Sequence, residues 1–574
     1  MAPSIFGKLK LFLIERLRPG EMQRMLIIAA VVGVAGALAT LAFRVTLAGL
    51  EHLLLGRSDS LVRAAMDLPP WLRLLFPALG GVVAGLLLQW AYRCNKGEAA
   101  DDYMEAIALG NGRLDVRQSL IKAASSTVTV ATGSSIGREG SMVQLASVAA
   151  SWIGQRLKVS TPRRRLIVAC GAAAGITAAY NAPVAGALFV SEIVLRSVAI
   201  DALAPLLVAS VLSHLTMHQF LGIGPVYHIP PLSLAPGEGM GTFALLGLLA
   251  GIAAPFFLAL LETVRAGFKR IALPLWAKLG LGGLVVGAIS VAYPAVWGNG
   301  YSVVDAILQG QWAWQALLAL LVFKLLATAA STGSGAVGGV FTPTLFVGAA
   351  LGALFGALVN ATMPAGTDIP AVACVAIGMG AFLAATTHAP LMATLMIFEM
   401  TGDYDLIAPL MLACVLGYVV SRILFPRSIY SRSLPAGPSA DFATLNAGEI
   451  MRKDPPTALR NDPAAAIEKQ FLSRRWPHVY VVDADNRFCG AVSVHDFAPH
   501  ARSGMDMNAP LTDDLLNADY PRVTPDMGLG RVLEVFAGHS GERLPLVDEQ
   551  QGKLLGYLSK TDLILLLGES VAKI

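Results

Sequence analysis

Charged residues are scarce in this chain of 574 residues, at 14%, against about 25% in soluble domains. Together with 55% hydrophobic residues, this argues against a wholly soluble globular protein. Its five cysteines form no CxxC pair, which argues against a disulfide framework or a zinc site. The net charge of +4 is too small for a chain of this length to indicate a nucleic-acid partner.

Long segments without any Asp, Glu, Lys or Arg follow from this shortage. They comprise 23 residues between Glu238 and Glu262, 26 between Lys278 and Asp305, 43 between Lys324 and Asp368, and 30 between Asp368 and Glu399. A helix that crosses a bilayer needs about 20 apolar residues. The sequence therefore predicts an all-α, polytopic membrane protein.

Helix-breaking sequences interrupt these apolar segments at 181–183 (Asn-Ala-Pro), 333–339 (Gly-Ser-Gly-Ala-Val-Gly-Gly) and 388–390 (His-Ala-Pro). Irregular backbone at membrane depth is tolerated only where protein buries it or where it lines an aqueous cavity. Helices that stop inside the membrane can direct their ends at an ion, as transporters and channels do.

Basic residues and a change of composition divide the chain. Five basic residues precede the first apolar segment without a cleavage site after it, so we expect no signal peptide and a cytoplasmic N-terminus; they are Lys8, Lys10, Arg16, Arg18 and Arg24. Charge returns after a Ser- and Pro-rich stretch, and this soluble α/β tail is also expected in the cytoplasm. The predicted segments are 1–24 (cytoplasmic), 25–435 (transmembrane), 436–446 (linker), and 447–505 and 511–570 (the tail).

The tail contains an internal repeat. Val481-Val482-Asp483 and Gly490 to Asp496 return as Leu546-Val547-Asp548 and Gly556 to Asp562, 65 or 66 residues later. Each copy is typical of a strand, a turn, a second strand and a helix. Asp496 and Asp562 follow a serine by three positions, where one interpretation is that they cap the following helix.

The membrane segment also repeats. Gly171 to Pro183 and Glu192 align with Gly378 to Pro390 and Glu399 at an offset of 207. Farther upstream, Gly137-Arg138-Glu139 aligns with Gly339-Val340-Phe341 at an offset of 202. Two such halves with interrupted helices indicate a substrate site between the repeats.

The turns at 133–140 and 335–341 each contain several glycines and are predicted to begin a helix. Glycine lets the backbone approach an ion, and the first helical N–H groups lack internal partners. A helix N-terminus with its partial positive charge suits an anion. Glu139 stands at one of these turns, where an ionised carboxylate would compete with the anion; the alternatives are a salt bridge with Arg138 or Lys122, or simple helix capping.

Five ordered motifs resemble those of the CLC chloride channel and transporter family, and its bacterial ClcB-like branch in particular. They are Gly137 to Gly140, Asn181 to Gly186, Gly339 to Pro343, Phe398 to Gly402, and the later Tyr430. The tail resembles a pair of CBS domains, a common addition in this family. The resemblance implies a CLC fold with two inverted repeats of broken, tilted helices, followed by an α/β CBS pair.

The resemblance also implies roles for individual residues. Glu139 would be the gating glutamate, and the anion would contact Gly137, Arg138, Gly140, Val340, Phe341 and Tyr430. In the CBS pair, Asp496 and Asp562 would contact the ribose of an adenine nucleotide. The expected protein is a homodimer in the bacterial inner membrane that transports chloride, with lipid around it, no required cofactor and no nucleic-acid partner.

Two departures from the family pattern affect these expectations. The Gly-Ser-Gly-Ile-Pro signature, whose serine contacts the central anion, is replaced by Gly97 to Asp101, which leaves inner coordination and anion selectivity open. Where proton-coupled relatives carry a second glutamate, this chain has Ile193. The neighbouring Glu192 is a candidate for a proton path, although its repeat partner Glu399 favours a structural role equally.

The loss at position 193 favours passive, Glu139-gated chloride conduction, with chloride/proton antiport as the alternative. An interpretation of another class is a membrane-embedded enzyme that uses Glu139, Glu192 and His388 as acid–base groups. No set of nucleophile, base and orienting group is visible in the sequence, so we predict that the protein is not an enzyme.

Overall fold

The computed structural model divides into two units, residues 1–435 and 436–574. It describes residues 21–56, 60–94, 100, 102–108, 110–157, 159–222, 226–227, 229, 239–362, 369–431, 445–474, 476–503, 506–510, 513–539, 541–563 and 566. The predicted N-terminal segment up to residue 20 and the linker residues 436–444 lie outside this part.

The described part of the first unit is helical. Its helices are α1 (Glu21–Leu55), α2 (Leu61–Asp67), α3 (Pro70–Cys94), α4 (Tyr103–Ala108), α5 (Val116–Ala131), α6 (Glu139–Arg156), α7 (Thr161–Tyr180), α8 (Pro183–Leu188), a π-helix (Phe189–Val194), α9 (Ile200–Leu221), α10 (Met240–Arg270), α11 (Leu275–Ala292), a 3-10 turn (Pro294–Val296), α12 (Tyr301–Leu308), α13 (Trp314–Gly333), α14 (Phe341–Thr362), α15 (Ala371–Thr387), α16 (Pro390–Thr401), a 3-10 turn (Tyr404–Leu406) and α17 (Ile407–Leu424).

Eight helical segments among the described residues are long and apolar enough to cross a membrane. Apolar side chains also cover much of their outer surface, among them Ile27, Val45 and Phe256, which are 60%, 64% and 73% exposed. A helix that is apolar on all sides and exposed on one suits a lipid environment rather than water. The prediction of a polytopic helical membrane protein is confirmed.

Glycine allows close helix packing in this unit. A Cβ atom on Gly283 of α11 would collide with the Pro77 carbonyl oxygen of α3, and one on Gly287 with the Leu74 carbonyl oxygen. Because lipid tails are as apolar as leucine, helices in a membrane gain most from such close backbone approach. These glycines therefore set the distance between α3 and α11.

The repeat at an offset of 207 is visible in the backbone. Asn181, after α7, and His388, after α15, both adopt left-handed φ angles of 56° and 59°. Each is followed two residues later by a proline, Pro183 or Pro390, that begins the next helix. Proline is well suited to the first turn of a helix, where its missing N–H costs nothing. The break predicted at each motif is therefore a left-handed residue and a new helix.

The described part of the second unit contains two small sheets. Its elements are α18 (Ala447–Ile450), β1 (Thr457–Leu459), α19 (Ala464–Arg474), β2 (His478–Val482), β3 (Phe488–Ser493), α20 (Val494–Arg502), a 3-10 turn (Asp513–Leu515), α21 (Leu529–Ala537), β4 (Arg543–Val547) and β5 (Leu554–Ser559). The order is β1-β2-β3 in one sheet and β4-β5 in the other. Both β2–β3 and β4–β5 are antiparallel, so the repeat of strand, turn and strand is confirmed.

Candidate anion site

The two glycine turns of the membrane unit meet each other. Gly137 N donates to Gly339 O at 2.8 Å, and Gly339 N donates to Gly137 O at the same distance. These residues correspond at the offset of 202, and the helices that follow them begin at Glu139 (α6) and Phe341 (α14). The structure thus brings the starts of two repeat-related helices, each predicted from its glycine turn, to one place.

Glu139 lies at this meeting point. It is 5% exposed, and its Oε1 accepts a hydrogen bond of 3.0 Å from Thr342 N in the first turn of α14. Its Oε2 has no partner among the described residues. A Cβ atom on Gly137 or Gly339 would collide with this carboxylate. The carboxylate therefore binds at the N-terminus of α14, which belongs to the other repeat. An unpaired N–H at this position would suit an anion.

A cavity of about 320 Å³, here called the tyrosine cavity, lies on one side of Glu139. It brings together four more predicted residues: Gly140, Val340, Phe341 and Tyr430. Further residues that line it are Tyr92, Asp102, Tyr103, Lys122, Gln144 and Arg265.

Aromatic side chains support the wall of the tyrosine cavity. The Phe341 ring lies 4.7 Å from that of Tyr180 and 6.2 Å from that of Phe189, and Phe189 meets Tyr430 edge-on at 5.5 Å. The Tyr180 hydroxyl lies 3.1 Å from the Thr342 hydroxyl oxygen. Phe189 and Tyr180 were not predicted as site residues, because an isolated aromatic in an apolar segment gives no signal beyond ordinary packing.

A second cavity of about 390 Å³, here called the arginine cavity, is lined by Arg44, Glu51, Arg138 and residues 297–302. Glu139 lines the tyrosine cavity, whereas its neighbour Arg138 lines this one. Gly137 forms the paired turn with Gly339. The neighbouring residues Arg138 and Glu139 thus line different cavities.

The region that replaces the family's missing serine signature contributes side chains that the sequence did not predict. Residues 97–99 and 101 lie outside the described part, but Asp102 and Tyr103 beside them line the tyrosine cavity. Tyr103 N donates to Gln144 Oε1 at 3.0 Å, and Met104 N donates to Asp102 Oδ1 at 2.8 Å. The first amides of α4 are therefore bound to acceptors of the protein itself. The acidic pair Asp101-Asp102, at the end of the replaced signature, was the available signal.

Glu192 and Glu399 bind each other's repeat. Glu399 accepts hydrogen bonds of 2.9 Å from both Val184 N and Ala185 N at the start of α8. Glu192 accepts from the repeat-related amides Leu391 N, at 3.4 Å, and Met392 N, at 2.9 Å, at the start of α16. A carboxylate at a helix N-terminus stabilises it. Glu192 is not among the residues that line the tyrosine cavity.

The remaining residues of the enzyme interpretation do not join Glu139. The His388 ring packs edge-on against Tyr418 at 5.9 Å, and its Nε2 has no partner among the described residues. Neither His388 nor Glu192 lines either cavity. In the described part of the chain, no group of three His, Cys, Asp or Glu residues could hold a metal ion.

The two candidate nucleotide ligands in the tail differ. Asp496 is exposed in the first turn of α20. Asp562 Oδ1 lies 2.6 Å from Arg452 Nη2 in an ion pair between the two repeats of the tail, and this hydrogen bond raises the pKa of the Arg452 guanidinium. A ribose hydroxyl at Asp562 would have to share that carboxylate with Arg452.

Comparisons with known proteins agree with the two units. A sequence model described as "Voltage gated chloride channel" matches residues 80–422, and one described as "CBS domain" matches 447–501 and 513–569. The chain is 52% identical over 414 residues to a "Putative chloride channel protein ClcB-like" of Ralstonia nicotianae, a match that covers 71% of this chain and 96% of that protein. It is 45% identical to "Voltage-gated ClC-type chloride channel ClcB" of Citrobacter koseri, over 71% and 98% of the two chains.

Solved structures show the same fold. A "slow cyanobacterial Cl-/H+ antiporter" superimposes with a TM-score of 0.63 at 25% identity and covers 71% of this chain and 97% of its own. A "eukaryotic CLC transporter" gives a TM-score of 0.64 at 18% identity and covers 94% of this chain and 98% of its own. With paired helix starts around Glu139 and a match over most of the membrane unit, this multi-pass membrane protein belongs to the voltage-gated chloride channel (CLC) family and carries a C-terminal pair of CBS domains.

Proposed function

We propose that this protein conducts chloride passively across the bacterial inner membrane, through a pathway that Glu139 gates. The observation that carries the proposal is the hydrogen bond from Thr342 N to Glu139 Oε1, at a residue that lines the tyrosine cavity while its neighbour Arg138 lines the arginine cavity. A carboxylate oxygen and a chloride ion both accept hydrogen bonds from the same N–H group, so only one can occupy it.

The protonation state of Glu139 determines whether the carboxylate or a chloride ion binds the Thr342 N–H. When ionised, the carboxylate is held by the Thr342 amide and by the partial positive charge at the start of α14. When protonated, it loses that attraction, and a chloride ion becomes the better ligand. Partial charges hold the ion without a formal cation at the amide, which lets it leave again quickly.

Other predicted residues would form the rest of the chloride path. Gly140, Val340, Phe341 and Tyr430 line the tyrosine cavity together with Glu139. An amide N–H and a phenol O–H each donate to an anion without carrying a charge. In this arrangement Phe341 and Tyr430 would contact an ion that passes through the tyrosine cavity to or from Glu139.

Chloride/proton antiport is the second candidate, because a structural relative is described as a "Cl-/H+ antiporter" and another as a "fluoride/proton antiporter". The carboxylate of Glu192 favours passive conduction instead, since it is bound to the amides of Leu391 and Met392. Ile193 next to it is 6% exposed and carries no ionisable group.

The assembly and the tail complete the proposal. We expect a homodimer with one chloride path per subunit, both termini in the cytoplasm, and the arginine cavity facing the periplasm. We also expect the CBS pair to bind an adenine nucleotide through Asp496 and Asp562. Because Asp562 is shared with Arg452, nucleotide binding would compete with that ion pair.

Chloride efflux from proteoliposomes at a series of external pH values tests the gate. We expect flux to rise as external pH falls, because protonated Glu139 leaves the Thr342 amide. Glu139→Gln should make flux high and independent of pH, whereas the control Glu468→Gln, at an exposed position in the tail, should behave like the native chain. Unchanged pH dependence in Glu139→Gln would contradict the gate.

A chloride gradient imposed on the same liposomes separates the two transport modes. Passive conduction predicts that the gradient drives no uphill proton movement. Uphill proton uptake that stops in Glu139→Gln would instead establish antiport. Glu192→Gln should leave this readout unchanged in either case, since its carboxylate caps α16.

A further inference from the structure

A buried lysine organises one wall of the arginine cavity. Lys324 of α13 is fully buried, and its Nζ donates to Val296 O at 2.9 Å and to Gly298 O at 2.8 Å. The same nitrogen lies 5.4 Å from the centroid of the Phe346 ring, within cation–π distance. The three ammonium protons thus have two carbonyl oxygens and a ring face as partners.

This arrangement orients the backbone of the neighbouring loop. In a trans peptide the C=O and the following N–H point in opposite directions, and no described peptide bond is cis. Because the Gly298 carbonyl points at Lys324, the Asn299 N–H points away from it. Gly298 and Gly300 have left-handed φ angles of 65° and 94°, and alternating backbone handedness of this kind groups N–H donors into an anion-binding concavity.

A helix also begins at the same cavity. Gly300 is the N-cap of α12, so the partial positive charge of that helix lies at this loop.

Among the described residues, the charged side chains that line the arginine cavity are two cations, Arg44 and Arg138, and one anion, Glu51. Both guanidinium groups line this one cavity, so their like charges repel each other. An anion between them would relieve that repulsion, and one carboxylate neutralises only one of the two charges.

We propose that the arginine cavity binds a small inorganic anion of its own, chloride in the cell, separate from the position at Thr342 N. Arg44, Arg138 and the Asn299 amide are its donors. Lys324 is a positioning residue: it draws two carbonyl oxygens, which would repel an anion, into the protein interior. This deepens the proposed function by giving the ion a binding site before the gate.

Bromide is a suitable probe, because its anomalous scattering locates it in crystals of the full-length protein. We expect a peak in the arginine cavity beside Arg44 and Asn299. Lys324→Arg, which keeps the charge and the donors, should retain it, and Lys324→Met should lose it. An empty arginine cavity in crystals of the native chain would overturn the proposal.

Flux measurements test the same site in a membrane. Loss of one charge-assisted hydrogen bond should raise the half-saturating chloride concentration on that side about tenfold in Arg44→Gln. The matched control is Arg156→Gln, since Arg156 stacks on Trp152 and lines neither cavity. Half-saturation equal in Arg44→Gln and the native chain would also overturn the proposal.

The two proposals can fail separately. If the liposomes show no chloride flux, the proposed function fails, while a bromide peak in the arginine cavity still supports this site. If flux is gated by Glu139 but native crystals hold no bromide beside Arg44, only this inference fails.

Discussion

Replacing Glu399 by alanine would uncover two backbone N–H groups at the start of α8. Both Val184 N and Ala185 N donate to this one carboxylate, at 2.9 Å. In the repeat-related exchange, Glu192→Ala would uncover Leu391 N and Met392 N. The two changes remove the same kind of cap from opposite repeats, so they form a matched pair.

The lengths and exposure of these hydrogen bonds determine how much free energy of unfolding each alanine variant should lose. A hydrogen bond to a charged group contributes about 1.5–3 kcal/mol. Because Val184 is 39% exposed, the lower value applies, and the two bonds of Glu399 amount to about 3 kcal/mol. One bond of Glu192 is 3.4 Å long, beyond the usual range for N–H···O, so its loss should be about 2 kcal/mol.

The free energy of unfolding can be measured by SDS titration of the full chain in mixed micelles, followed by circular dichroism. We expect both alanine variants to be destabilised, Glu399→Ala more than Glu192→Ala. Glu399→Gln, which keeps an acceptor oxygen but no charge, should fall between Glu399→Ala and the native chain. If the free energies of unfolding of both alanine variants lay within about 0.5 kcal/mol of the native value, the usual scatter for surface changes, the two carboxylates would not stabilise their helices as caps.

Three further predictions concern packing and the tail. Gly339→Ala should give chloride flux that no longer depends on external pH, because its Cβ would displace the Glu139 carboxylate; flux like that of the native chain would contradict this. Gly283→Val should lower the yield of folded protein by size-exclusion chromatography, since its side chain would collide with the Pro77 carbonyl, and a native elution profile would contradict it. Asp562→Asn should abolish ATP binding by calorimetry, and unchanged binding would remove this residue from the nucleotide site.

The sequence predicted the helix starts and the repeats because both depend on local chemistry. Three kinds of signal determine the structure of their immediate sequence neighbourhood. They are glycine turns, a proline two residues after a helix break, and long charge-free segments. The starts of α6 and α14 at Glu139 and Phe341 followed from these signals. The correspondence of Glu192 with Glu399 also followed from the repeat. That each glutamate caps a helix of the other repeat did not follow from the sequence.

Long-range partners could not be predicted in this way. The Glu139 carboxylate accepts a hydrogen bond from Thr342 N, 203 residues away. Lys324 gave no signal, because one lysine in an apolar segment is compatible with many partners. Asp102 lines the tyrosine cavity, and it directly follows the residues that depart from the family pattern. Each depends on which elements meet across the fold, and sequence spacing alone does not determine this.

Crystals of Glu139→Gln grown with bromide show whether the anion binds where the native carboxylate lies. We expect an anomalous peak within hydrogen-bond distance of Thr342 N, where the native carboxylate oxygen lies at 3.0 Å. The native chain at high pH should show no peak there, because the ionised carboxylate holds the amide. Absence of bromide at Thr342 N in both proteins would contradict the claim that the gate and the anion share one helix N-terminus.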